Sequence, residues 1–393
     1  MFDDVVGHAP QCRALAGAVQ RWRAGGAGLH HAYLLSGVEE YPASRKRHPG
    51  SVVRSLGHGQ WRLALELGAV IVAGGEADSE TYRRALAGRH LDLTVIEREG
   101  EVIRIEQVER LVGELSLRPF LAGHRVWVID EADALNAAAA NKLLKSLEEP
   151  PAHVHFLLAT AEPERVLPTI ASRCQLVELG PAAREPVALH LAAAFGLPQE
   201  VAGALADLAG GSVERAERLA ADERSGRRAE LTAAALSALA GNHVAREHYL
   251  SLVLEQVGAE QAAVDEALAA ELKRIEVDVP DERDKKWHTR RAKDRAKREA
   301  ARAARREVMR AVEQLSCLLR DLWVVSTCSS AVLLNHDRAA EIARAVTMAP
   351  ACYERQLAAA GATVKNLRLN VDPVLALRGL FGRLEEVARS CAR

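Results

Sequence analysis

The run Val126-Trp127-Val128-Ile129-Asp130-Glu131 limits what this chain can fold into more than any other feature. Four consecutive apolar residues, β-branched or aromatic, read as a strand buried on both faces, and such strands belong to parallel sheets. The run ends on two carboxylates, and in a parallel sheet ligands sit at the carboxyl ends of the strands. A second buried-strand pattern, His155-Phe156-Leu157-Leu158-Ala159, lies downstream. Between the two, residues 137–147 are strong helix formers, and Pro150-Pro151 stops them. Upstream, residues 11–23 are helix-like and residues 32–35 form a short apolar run. Within 101–118, Ile105, Val108, Leu111, Val112 and Leu115 recur at helical spacing. Strands alternating with helices of this length predict an α/β fold, a parallel sheet with helical crossovers.

After about residue 180 the strand signal stops. Residues 184–222 read as a small helical unit and 226–393 as a larger one, with a polar stretch at 222–228 between them. Aromatic residues make up only 4% of the 393, which favours helix over sheet for this remainder. The formal net charge is -1, so the chain has no global attraction for nucleic acid, and any such contact must be local. The local candidate is residues 281–310, which hold thirteen lysines or arginines against six acids. Lys285, Lys286, Arg290 and Arg291 lead that run, which continues through Lys293, Arg295, Lys297, Arg298, Arg302, Arg305 and Arg306 on an expected helix. A solvated charged helix is the plainer reading, and a phosphate-tracking patch the sharper one. The six scattered cysteines show no Cys-x-x-Cys pair and fit a reducing cytoplasm as single thiols. No apolar run is long enough for a spanning helix, and the acidic start lacks a signal core. Residues 37–75 have neither clean periodicity nor loop composition.

Two further motifs carry candidate chemistry. In LPTIASRCQ, residues 167–175, Ser172-Arg173-Cys174 follows the second buried strand and a short helix. An arginine at a subunit edge can reach a neighbour's nucleotide and stabilise transition-state charge. In Gly211-Ser212-Val213-Glu214-Arg215-Ala216, Arg215 opens a helix, which alone is an ordinary helix-start cation.

HAYLLSG at 31–37, LDLTVIE at 91–97, the stretch from Ile103 to Asn136, NKLLKSLEEPP at 141–151 and LPTIASRCQ occur in that order. Together they resemble the AAA+ family of bacterial DNA polymerase III clamp-loader subunits, specifically its delta-prime branch. LRLNVDPVLALRGLF at 367–381 resembles the last helices of the same branch, and the resemblance is not carried through residues 225–360. The resemblance implies an AAA+ αβα sandwich over 1–180, a helical lid over 181–225, and an all-α collar over 226–393 with a charged helical insertion at about 271–310. It implies Walker B roles for Asp130 and Glu131, a sensor 1 role for Thr160 and a sensor 2 role for Arg215. Val6 and Gly7 fall beside the adenine pocket. Arg173, flanked by Ser172 and Cys174, falls on the arginine finger offered in trans.

The chain departs from the family at two places. After Gly37 the phosphate loop should present glycines and a Gly-Lys-Ser/Thr ending, whose amides, amine and hydroxyl hold phosphate and magnesium. The sequence instead reads VEEYPASRKR over 38–47; Tyr41 is bulky, Pro42 lacks an amide donor, and only Lys46 could approach a phosphate. A decayed loop is one reading. The other is a frame disturbance, because shifted codons of 40–45 and 48–56 can encode a phosphate-loop ending and an apolar helix start. Secondly, Glu76, Ser79 and Tyr82 stand where a four-cysteine zinc module would have thiols, so zinc is not expected.

The expectation is therefore a cytoplasmic clamp-loader accessory subunit that binds no cofactor of its own, with ATP and magnesium held by neighbouring subunits. Its partners would be gamma/tau and delta subunits in a hetro-oligomer, the sliding clamp through the complex, and primed DNA. Independent catalysis is not expected, and polymerase activity would belong to the holoenzyme. An ATP-hydrolysing gamma/tau-like motor, a DNA-junction or helicase-loading AAA+ protein, and the product of a damaged reading frame are the alternatives.

Overall fold

Alternation of side chains along three central strands sets the architecture. In the computed structural model, which describes residues 1–26, 29–37, 59–98, 102–278, 281–369 and 371–391, one face of the sheet carries Tyr33, Leu35, Val126, Val128, Leu157 and Ala159. The opposite face carries Ala32, Leu34, Trp127, Ile129, Phe156 and Leu158. Both sets are buried, so the strands read as continuous apolar runs in sequence.

The chain divides into two units. The first comprises residues 1–190 with 210–215. Its elements are α1 (Ala9–Arg23), β1 (Ala32–Gly37), α2 (Gly59–Val72), α3 (Glu80–Leu86), β2 (Leu93–Ile96), α4 (Ile105–Glu114), β3 (Arg125–Ile129), α5 (Ala137–Glu148), β4 (Val154–Thr160), α6 (Pro168–Ala171) and β5 (Gln175–Leu179). The five strands are parallel in the order β2-β3-β4-β1-β5. Helices α1, α2 and α3 cover the first face, and α4, α5 and α6 the second. This is the α/β sandwich, a parallel sheet with helical crossovers on both faces, that the sequence predicts.

Helix α2 resolves part of the unreadable stretch 37–75. All fourteen of its residues are buried. A helix enclosed on every side needs no polar face, so it shows no amphipathic period in sequence. Gly68 lies against the sheet, where an added Cβ would sit 3.1 Å from Leu93 and 3.3 Å from both Leu157 and Val126. Residues 38–58 are outside the described residues, and with them fall Lys46, the degenerate loop and the frame-shifted codons. Helix α4 is shorter than the 101–118 periodicity suggests. It starts where the Gln107 side chain accepts from the Arg104 amide at 3.0 Å, and it ends ahead of Pro119.

The second unit comprises residues 191–209 and 216–393. From 184 onward the regular elements are helices: α7 (Arg184–Phe195), α8 (Gln199–Ala209), α9 (Val213–Arg224), α10 (Arg227–Leu239), α11 (His243–Asp278), α12 (Glu282–Ser326), α13 (Ala339–Arg344), α14 (Pro350–Arg368) and α15 (Pro373–Cys391). Its core gathers Leu236, Tyr249, Val308, Leu315, Leu319, Tyr353, Leu377 and Phe381. The 36-residue α11 and 45-residue α12 form a hairpin. Their ion pairs, Glu276 with Lys285 at 3.3 Å and Glu271 with Arg295, run in antiparallel order.

The cysteine reading needs correction. Cys352 and Cys391, 39 residues apart, are joined in a disulfide because α14 packs along α15, with the two Cα atoms 6.2 Å apart. Sequence spacing carries no trace of that pairing. Cys12, Cys174 and Cys328 are free thiols.

Candidate functional site

The predicted site residues fall at two opposite edges of the sheet. At the carboxyl edge, β3 delivers Asp130, which is buried, and its amide donates to the Ile96 carbonyl of β2 at 3.0 Å. Glu131 follows in the left-handed region with φ 51°. A non-glycine residue there costs about 1–3 kcal/mol and persists only when its surroundings hold it. The holding contact is an ion pair with Arg98, 2.6 Å away, from the turn after β2.

Thr160 ends β4 at the same edge, paired in register with Ser36 of β1. Its buried hydroxyl donates to Asp133 at 2.5 Å and accepts from the Glu162 amide at 3.0 Å. The sensor-like hydroxyl is thus tied to the third acid of the Asp130–Asp133 segment rather than to the first two. Gly37 closes β1 beside Leu179 of β5, and the Gln60 side chain comes against it from the start of α2.

Val6 and Gly7 lie where the chain passes the end of β5. Gly7 has φ +82°, and a Cβ there would meet Ala182 at 2.6 Å, so this close approach requires glycine. The Ala182 amide in turn donates to the Gly211 carbonyl at 2.9 Å. These contacts bring the segment of Val6 and Gly7 near the turn that leads to Arg215. There the Ser212 hydroxyl accepts from the Arg215 amide at 3.1 Å and caps α9, and the Arg215 side chain is half-buried.

Arg173 is at the other edge. It precedes β5, and β5 starts at the amino end of β1, with Gln175 opposite Tyr33. Five strand residues rise about 16 Å at the usual 3.3 Å each, so Arg173 stands roughly a strand's length from Asp130 and Thr160. It lines an open concavity of about 700 Å³ together with His30, His31, Glu148 and Ser172. Its side chain is 33% exposed. One guanidinium nitrogen, Nη1, donates to the Thr169 carbonyl at 2.8 Å and to the Ser172 hydroxyl at 3.4 Å. The other, Nη2, faces the carboxylate of Glu148.

The flanking residues shape that setting. The Ser172 hydroxyl donates to the Thr169 carbonyl at 3.2 Å. Cys174 packs against the core of the second sheet face, and burial pushes its thiol up to about 12, so it stays protonated and is no nucleophile. Glu148, which sequence reading passed over, is put there by α5, which runs from the carboxyl edge at Asn136 back to the amino edge. His31 joins the same place, with its Nε2 3.0 Å from the Leu147 carbonyl.

The positions of the missing zinc thiols carry other contacts. Glu76 pairs with Arg23 at 2.6 Å, Ser79 caps α3 by accepting from the Tyr82 amide at 3.1 Å, and Tyr82 packs against the first-face core. The basic candidates sit at the start of α12. Lys286 and Arg290 are exposed, Arg291 is half-buried, and Lys285 is engaged with Glu276. Farther along, Arg302 and Arg306 lie 3.9 and 3.4 Å from Glu299, and Arg310 pairs with Glu307.

The chain matches the family described as DNA polymerase III, delta subunit, over residues 55–183. It is 39% identical over 203 residues to DNA polymerase III subunit delta' of Pseudomonas aeruginosa, covering 50% of this chain and 57% of that protein. To DNA polymerase III subunit tau of Salmonella typhimurium it is 36% identical over 173 residues, 44% of this chain and 24% of that one. To DNA polymerase III subunit delta' of Bacillus subtilis it is 33% identical over 156 residues, 39% of this chain and 43% of that one. The chain thus spans between 24% and 57% of the length of these relatives. The resemblance to the clamp-loader delta-prime family is carried by these matches.

Proposed function

We propose that this chain is a delta-prime-like subunit of a bacterial DNA polymerase III clamp loader, and that it donates Arg173 to the nucleotide of a neighbouring ATPase subunit. One observation carries the reading. The guanidinium lies at the amino edge of the sheet, about 16 Å by strand rise from the acids at the carboxyl edge, and opens on a surface concavity. An arginine so placed has no reach to its own chain's Walker-like acids, so a phosphate that meets it comes from another molecule. The sequence after Gly37 has no Gly-Lys-Ser/Thr ending, and Glu131 is held by Arg98. Both support an accessory role over hydrolysis by this chain itself.

In this reading residues 1–180 form the AAA+ domain, 181–225 the lid and 226–393 the collar that joins the other subunits. ATP and magnesium belong to the neighbours, and the assembly acts on the sliding clamp and primed DNA in the cytoplasm. Among the described residues no helix is long and apolar enough to cross a membrane.

The test is reconstitution with partner loader subunits. Arginine fingers contribute about 10³–10⁵ in rate in other phosphoryl-transfer systems. The unaltered chain stimulates ATP turnover at the adjoining site, and the assembled Arg173→Ala variant does not. Equal stimulation by both ends the proposal.

A further inference from the structure

We infer that Glu148 is the resting partner of Arg173: a carboxylate that holds the guanidinium at the concavity and gives it up when a neighbour's phosphate arrives. The inference rests on the finger role proposed for Arg173 and adds a control on how readily that finger is released.

The two halves of the guanidinium have different partners. Nη1 is held by the chain's own α6 turn, through the Thr169 carbonyl and the Ser172 hydroxyl. Those neutral acceptors position the side chain without competing for its charge. Nη2 is held by Glu148, and that bond joins full opposite charges. An incoming phosphate oxygen and the Glu148 carboxylate compete for the same two N–H groups, whereas Nη1 keeps its anchor throughout.

The local chemistry of α5 sets Glu148 apart from an ordinary surface acid. It is the last residue of the helix, where the exposed carbonyls already give a partial negative charge. A carboxylate is disfavoured there unless a cation stands opposite, and Arg173 is that cation. The exposures of the two side chains, 33% for Arg173 and 46% for Glu148, set the strength. A half-exposed pair is screened by water and salt and is weak enough to exchange, whereas a fully buried one would immobilise the finger. Phosphate carries more charge than a carboxylate and accepts from both N–H groups of an arginine face, so it wins the exchange once it is delivered.

Glu148→Gln keeps an acceptor for Nη2 and removes the competing charge. In the reconstituted assembly, a slowly hydrolysed ATP analogue at the adjoining site is expected to bind about two- to fivefold more tightly to this variant than to the unaltered chain, as fits a half-exposed ion pair. Saturated turnover stays within about twofold, because the finger itself is intact. In an Arg173→Ala background the same Glu148→Gln change is expected to leave analogue affinity unmoved, since nothing remains for the carboxylate to hold.

Three results are separable. If Arg173→Ala alone leaves turnover intact, the finger reading fails. If Arg173→Ala abolishes stimulation but Glu148→Gln leaves affinity unchanged or weakens it, the finger stands and the inference about Glu148 is overturned. An equal gain in affinity with and without Arg173 also overturns it, because the carboxylate then acts on the phosphate directly. Thermal unfolding of the Glu148→Gln chain, expected to match the unaltered one, separates these effects from misfolding.

Discussion

Single residues here do chemistry that their type alone does not announce. His155 is one. It lies within β4, buried, with its Nδ1 3.2 Å from the His30 carbonyl and its Nε2 3.3 Å from His124 Nδ1. Burial first, then the neighbouring His124, His31 and His30, hold its ring down to about 4. His8, His31, His90 and His124 are also held below the usual histidine range, mainly by burial. The unfolded chain therefore takes up these protons before the folded one does. Stability is complete above about pH 6.5 and is lost as pH falls toward 4. His155 alone accounts for about 2–3 kcal/mol of that loss by pH 4.5. Urea unfolding at pH 7 and pH 4.5 measures it, and His155→Phe should flatten the difference. Equal pH dependence in the two proteins would contradict the assignment. Asp92 is a second case. Its buried carboxylate accepts from the amides of Phe120, Leu121 and Ala122 at 2.7, 2.8 and 2.9 Å. Burial pushes that carboxyl up, but the three donors outweigh it and hold it below the usual carboxylate range. Nothing in the sequence marks either residue, because both depend on what the fold brings alongside.

Elements differ in how openly the sequence declares them. Strands β3 and β4, enclosed on both faces, show as unbroken apolar runs, and helix α5 shows through its formers and its Pro-Pro stop. Edge strand β5 hides, because three of its five residues are exposed and break the run. Helix α2 hides for the opposite reason, having no polar face to set a period. Its Gly68 then looks like a weakness, since glycine costs a helix interior about 1 kcal/mol relative to alanine. The contact with Leu93, Val126 and Leu157 reverses the expectation. Gly68→Ala should destabilise by about 1 kcal/mol or more, as the methyl meets three packed side chains at 3.1–3.3 Å. A stabilised variant in urea unfolding would show that α2 can back away from the sheet. The basic stretch of α12 was legible as a helix, but its ion pairing was not. Glu271, Glu276, Glu299 and Glu307 take up part of its charge. If the run is a solvated charged helix, replacing Lys285, Lys286, Arg290 and Arg291 together with alanine is expected to leave the salt dependence of DNA binding by the assembly nearly unchanged. A slope reduced by three or four would instead assign these residues to phosphate contacts.

Taken entire, the chain sets its candidate site residues at two opposite edges of one sheet. The motif order that carries the family resemblance was plain in the sequence, as were Asp130, Glu131, Thr160 and Arg173 as candidates. Their distribution between edges was not, because sequence order does not reveal that β5 starts where β1 starts. Glu148 was visible only as part of a helix end, and its meeting with Arg173 needs α5 to run the full depth of the sheet. A finger that serves the molecule next door has one consequence that a structural arginine lacks: the transition state of the neighbour's hydrolysis should depend on it. Trapping the reconstituted assembly with ADP and aluminium fluoride, a mimic of that transition state, measures the dependence. The unaltered chain should retain one more trapped nucleotide per assembly than Arg173→Ala, with both assemblies first saturated with nucleotide. Equal trapping in the two assemblies, or nucleotide trapped by this chain on its own, would contradict the assignment of Arg173.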